Sequence, residues 1–209
     1  MTRDYEWYVS EYEARYHTLL EHATIHPDWP EWSKFYWYAR KWAIQTIAEL
    51  GWDHPYALRN FTACIAALSP LKPWAMNQHI AVLALNEYME RGTCQTIPAM
   101  DSRKRAAERA LTTGVVSGRK VEPFARALYG DNRAAVIDRH MLDACRGVGG
   151  NDDTPQTHVP HLIEALTRVT DHWRSERFLK YHENVTQVQA GLWGFVRYEK
   201  GLPTIKEVK

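Results

Sequence analysis

Apolar side chains recur at three- and four-residue intervals through most of this chain, the period of helices with one buried face. Tyr5, Tyr8, Val9, Tyr12, Tyr16, Leu19 and Leu20 predict a helix over 5–22, broken by His26-Pro-Asp-Trp-Pro30. A second is predicted from about Ser33 to Leu50, with Trp37, Ala43, Ile44, Ile47 and Leu50 inward and Gly51 ending it. Leu58, Phe61, Cys64, Ile65 and Leu68 mark a third over 55–68, stopped by Ser69-Pro70 because a residue before proline is pushed out of the helical region. A fourth spans 74–91, with Met76, Ile80, Leu83 and Tyr88 inward and Gly92 closing it. Asp101 or Ser102 caps a basic helix through Leu111.

After a Gly-containing turn, Lys120 opens a short helix with Val121, Phe124, Ala125 and Leu128 on one face, and Gly130 stops it. Pro123 is tolerated in the first turn, where no intrahelical N–H bond is lost. Ala134–Ile137 reads as extended, and Asp138 as the N-cap of a helix carrying Met141, Leu142 and Cys145. Residues 147–155 are a connector. Thr157 caps a helix with Leu162, Ile163, Leu166 and Val169 inward. Asn184 caps the last, which packs Val188, Leu192, Phe195 and Val196 and leaves Gln187, Gln189 and Trp193 without an assigned role. The fold class is all-α, with aromatic-rich helices over 1–52 packed on a main helical domain over 53–209. The first 52 residues carry far more rings than two amphipathic helices need, including Trp29, Trp32, Trp37 and Trp42. They are either core or a surface on which an extruded base stacks.

Charge and cysteine content narrow the setting. A net charge of +1 over 209 residues gives no global field, so a nucleic-acid surface must be local. Two local groups exist: Arg103, Lys104, Arg105 and Arg109, then Arg119, Lys120, Arg126, Arg133 and Arg139. Of the three cysteines, Cys64 and Cys145 sit on apolar helix faces, and no spacing supports a metal site. No signal peptide or membrane-length apolar run is present, which leads us to expect a cytoplasmic protein (of the host cell, if viral) without a membrane partner.

The chemistry concentrates between Thr113 and Cys145. Gly114 and Gly118 bracket a turn leading into Arg119-Lys120, and an apolar run leads into Asp138-Arg139-His140. One amine and one carboxylate thus stand at the starts of two short helices, at positions 120 and 138. This pattern resembles the helix-hairpin-helix DNA glycosylases, most closely their endonuclease III-like branch. Two further stretches are similar: Cys64–Pro70 followed by Trp74 and Asn77, and Val188–Trp193 near the C-terminus. The resemblance covers roughly residues 55–200. It departs in the hairpin, where Val116-Ser117-Gly118 supplies one of the two glycines usual before the lysine. It departs also in having no cysteine after Cys145, so no iron–sulfur cluster and no other cofactor is expected.

The resemblance implies a DNA glycosylase-like fold whose partner is DNA. It implies that Lys120 attacks the deoxyribose C1′ of a flipped nucleotide, forming a Schiff base from which strand cleavage follows, while Asp138 deprotonates the amine or stabilises the cationic sugar. Because a lysine amine is a nucleophile only when unprotonated, burial of Lys120 at its helix start is expected. Gly114, Ser117, Gly118 and Arg119 would meet phosphate, Leu71 would wedge into the stack, and Arg139 and His140 would contact the backbone. Taken alone, the residues leave plainer roles open: a phosphate-binding lysine, a simple N-cap, an ordinary loop leucine. They leave open three other functions as well: group transfer to a modified thymine, as in phage DNA base hypermodification; DNA binding without catalysis; and a helical protein-interaction domain without nucleic acid.

Overall fold

The computed structural model describes residues 5–70, 72–145, 156–179 and 183–204, and among them the only regular secondary structure is helical. The α-helices are α1 (Tyr5–Ala23), α2 (Trp29–Trp32), α3 (Phe35–Leu50), α4 (Ala57–Leu68), α5 (Trp74–Arg91), α6 (Asp101–Thr113), α7 (Val121–Tyr129), α8 (Arg139–Ala144), α9 (Val159–Ser175) and α10 (Val185–Glu199), with a 3-10 turn over Gln156–His158 before α9. The expected all-α class is what is found. The chain forms two compact units: one is built from the residues up to Tyr36 together with those from Asn132 on, the other from Trp37–Asp131. The division anticipated between residues 52 and 53 falls inside the second of these.

In the discontinuous unit, α1 packs on α9, and α10 packs on α1, α2, α8 and α9. Its core gathers Tyr12, Tyr16, Leu20, Trp29, Trp32, Met141, Leu166, Val188 and Leu192. α2 was not foreseen. The Pro30 that reads as a breaker sits in its first turn, where a missing N–H costs nothing. Trp29 and Trp32 project from it into the core, so these two rings are packing and not a stacking surface. α10 meets them with Gly191 and Gly194, where a β-carbon would lie 2.4 Å from Cζ3 of Trp29 and 2.4 Å from Cγ of Trp32.

In the continuous unit, α4 is the central helix and packs against α5, α6 and α7. Almost every residue of α4 is buried, polar Asn60 and Thr62 included. Its neighbours are held partly by hydrogen bonds from side chains to helix-terminal carbonyls, which have no partner of their own. Asn60 donates to the Leu111 carbonyl (2.8 Å), and Arg59 to that of Thr113 (2.8 Å). Asn77 of α5 donates to the carbonyl of Ile65 (3.1 Å). Glu87 ties down the loop after α5, accepting from the backbone N–H groups of Gln95 (2.8 Å) and Thr96 (2.9 Å) and from the Thr96 hydroxyl (2.9 Å).

Two apolar stripes lie elsewhere than their bulk suggests. In α3, Trp37 and Ile44 are exposed, and Tyr36, Ala39, Ala43 and Thr46 are buried. In α5, Met76 and Leu83 are exposed while Asn77, Ala81, Ala84, Leu85 and Glu87 join Ile80 inside. All three cysteines are buried, and none is in a disulfide.

Candidate functional site

In the continuous unit, α6 ends at Gly114, whose φ of +68° is the left-handed cap that L side chains rarely adopt. The same glycine allows a close approach: a β-carbon there would stand 2.5 Å from both Arg59 Nε and Asn60 Oδ1 of α4. The loop then runs outward through Val115, Ser117, Gly118 (φ +124°), Arg119 and Lys120, all exposed, and turns into α7. The Val115 N–H is accepted by the Thr113 hydroxyl (3.1 Å), and the Gly118 carbonyl accepts from Glu122 N (3.1 Å). Among the described residues nothing accepts the backbone N–H groups of Val116, Ser117, Gly118 and Arg119. An open groove of about 300 Å³ lies beside this loop, walled by Thr62, Val115, Val116, Ala125 and Tyr129.

Lys120 occupies the N-cap position of α7 and is solvent-exposed. The burial expected for it is absent. Arg119 is exposed as well, whereas Arg126 is committed to Asp131 (2.8 Å from Nε). Of the basic residues in α6, Lys104 pairs with Asp101 (3.4 Å) and Arg103 lies against the Ala67 carbonyl, which leaves Arg105 and Arg109 as its exposed cations. Leu71, the expected wedge, lies outside the described residues.

Asp138 belongs to the discontinuous unit, and its capping role is realised. Its Oδ1 accepts from the backbone N–H groups of His140 (2.9 Å) and Met141 (3.1 Å), the bonds an N-cap side chain makes to the first turn. Its Oδ2 accepts from the indole Nε1 of Trp193 in α10 (3.0 Å). Trp193 is flanked by the Phe35 ring (6.3 Å between centroids, 28° between planes) and by the Arg197 guanidinium, 4.8 Å from its ring centre. Arg197 also donates to Nε2 of His140 (3.1 Å), which makes that nitrogen the acceptor and places the ring proton on Nδ1, a buried atom with no hydrogen-bond partner. Burial lowers the His140 pKa below its ordinary value; the carboxylates of Asp138 and Asp143 oppose this, and the cations of Arg197 and Lys200 reinforce it. Nearby Tyr36 donates to Oε1 of buried Gln189 (3.0 Å), and burial, followed by the charge of Asp138, pushes its hydroxyl well above the ordinary range. Arg139 is exposed.

Each of the three residues of α10 without an assigned role thus has one. Gln187 completes a capping box with Asn184, Gln189 receives Tyr36, and Trp193 holds Asp138. The Ser/Thr/Asn-x-x-Gln spacing of 184–187 was a signal available for the first. The other two are contacts between distant segments, which local pattern does not reveal. No group of three or more metal-ligating side chains occurs among the described residues.

Fold and local geometry define an all-helical protein of two compact units. One presents an exposed glycine loop ending in two cations; the other presents a carboxylate fixed at the start of a short helix. The chain belongs to a family of unknown function (DUF7178), whose model matches residues 13–200. No curated protein and no solved structure matches it. No helix among the described residues is long and apolar enough to cross a membrane.

Proposed function

We propose that the protein binds DNA through the loop between α6 and α7 and acts on a nucleotide extruded from the stack, as a DNA glycosylase with an accompanying lyase step. The observation that carries the reading is the loop itself: unaccepted backbone N–H groups at half-buried Val116 and at exposed Ser117, Gly118 and Arg119, leading directly into Lys120. Adjacent backbone N–H groups in such a turn form an anion-binding concavity, which suits a phosphate. The helix-hairpin-helix resemblance and the Lys120/Asp138 spacing supply the chemistry.

In this reading the lone pair of the Lys120 amine forms a bond to C1′ as the C1′–base bond breaks. The departing base takes the bonding electrons and a proton. The nitrogen keeps its second proton; opening of the sugar ring, with O4′ taking a proton from water, leaves C1′ doubly bonded to it as an iminium ion. Removal of a C2′ proton then expels the 3′ phosphate, and water releases the lysine. Asp138 stabilises the cationic sugar or accepts the amine proton.

The test is borohydride trapping on oligonucleotides carrying an abasic site, uracil, oxidised bases or mismatches. A covalent adduct that is lost in Lys120→Ala is the expected result. DNA binding that weakens with salt, without an adduct on any substrate, reduces the function to binding alone. Conversion of a modified thymine without base release points to group transfer.

A further inference from the structure

We infer that Trp193 is the positioning residue for Asp138, presenting its carboxylate in a single orientation; the inference rests on the reading that Asp138 acts on the extruded nucleotide. A cap occupies only one of the two oxygens. Here Oδ1 receives both backbone N–H groups of the first turn of α8. The torsion that sets the carboxylate plane is broad and roughly two-fold, so a cap alone leaves it loosely set. The Trp193 bond to Oδ2 comes from a different helix and fixes that torsion.

Trp193 is itself held. Phe35 stacks against it, and Arg197, one turn further along α10, lies over its ring. Arg197 reaches on to Nε2 of His140, whose backbone N–H returns to Asp138, and is steadied from behind by the Pro203 carbonyl (2.7 Å from Nε). The circuit Asp138–Trp193–Arg197–His140 is therefore closed. Lys200 adds a second link to α8 through Asp143 (2.8 Å). α8 has six residues, too few to hold its own geometry, so the direction of the Asp138 side chain depends on α10. An indole N–H only donates, so Trp193 takes no proton in the reaction; it acts through Asp138.

The experiment uses the full chain and has two readouts. The first is the Trp193 indole 1H–15N resonance, recorded in the native protein and in Asp138→Asn. An asparagine at the cap keeps its oxygen for the α8 N–H groups and turns its NH2 toward the indole. The resonance is expected to move upfield and its exchange protection to fall. An unchanged resonance overturns the inference, and this readout needs no Trp193 variant to fold.

The second is the rate of adduct formation on abasic-site DNA at saturation. Trp193→Phe, which keeps the ring stack and deletes the donor, is expected to slow it about tenfold or more with half-saturation unchanged. The double variant Trp193→Phe/Asp138→Asn should be no slower than Asp138→Asn. Additive losses, or an unimpaired Trp193→Phe, overturn the inference. If the native chain forms no adduct with any DNA, the glycosylase reading falls, and the indole resonance alone decides whether Trp193 sets Asp138.

Discussion

Gly194 of α10 lies so close to Trp32 that a β-carbon on it would stand 2.4 Å from the indole Cγ. On an open helix face, glycine to alanine stabilises by about 1 kcal/mol through backbone entropy and helix propensity. Here a methyl group would have to displace a fully buried tryptophan, and overpacking a core costs about 1–3 kcal/mol or more. The packing penalty wins. Gly194→Ala is expected to lower the urea midpoint, and Gly191→Ala to do the same through Trp29. A gain in stability in either variant would show that α10 does not seat α2 in this way.

Asp138 separates capping from chemistry when two substitutions are compared. Alanine removes both the cap and the acceptor for Trp193, at about 2 kcal/mol. Asparagine caps as well as aspartate does and forfeits only the indole bond, about half that cost. Denaturant titration should rank native above Asp138→Asn above Asp138→Ala. Activity should fall steeply in both variants while staying measurable in Asp138→Asn. An Asp138→Asn as active as the native chain would leave the residue its cap and nothing more.

Lys120 is exposed, and its replacement is expected to leave stability within about 0.5 kcal/mol of native. Arginine is the informative substitution. It keeps the positive charge for a phosphate but cannot form the Schiff base in lysine's place. Under the glycosylase reading, Lys120→Arg binds abasic-site DNA and gives no borohydride adduct. Retained strand cleavage in Lys120→Arg would reassign the residue to phosphate contact.

Much of the fold is written in punctuation. Gly92, Gly114 and Gly130 end helices in the left-handed conformation that glycine permits, and Asn184 and Asp138 start helices with the side-chain bonds their residue types suggest. Burial was less legible because apolar bulk is not the same as an inward direction. Along α3 and α5 the close-packed faces are made by Ala39, Ala43, Ala81 and Ala84, while Trp37 and Met76 point outward. Glu87 is buried because the residues eight and nine positions on donate to it, and the Asn77 amide N–H meets the Ile65 carbonyl twelve positions back; periodicity carries no trace of either. The same holds at the site. The ends of the loop and the N-cap are local features and can be read directly. The Trp193–Asp138 bond joins residues 55 positions apart and is visible only after folding.

The two units contain different acid-sensitive groups, so acidification should affect them at different pH. In the discontinuous unit, burial lowers the pKa of His17, His140 and His158. His17 is faced by His172, which adds to the effect, and by Glu13 and Glu21, which oppose it; His158 is faced by His161. Geometry agrees for His17, whose Nδ1 accepts the Trp173 indole N–H (2.6 Å) and cannot do so once protonated. A histidine with a lowered folded pKa binds its proton more readily in the unfolded chain. Its contribution to stability is present above about 6.5, the unfolded value, and is lost as pH falls below it.

Glu87, in the continuous unit, has the same sign at lower pH. Burial alone would raise its pKa, but the bonds from Thr96 and Gln95 outweigh it and the net shift is downward. Its contribution is present above about 4.3 and lost below that. Amide exchange followed from pH 7.5 to 4 should therefore show α1 and α9 losing protection first, near pH 6, while α4 and α5 hold until the carboxylate range. His17→Gln, which keeps an acceptor for Trp173 without a titrating ring, should flatten the first phase. Simultaneous loss of protection in both sets of helices would mean that the histidines do not govern the acid stability of their unit.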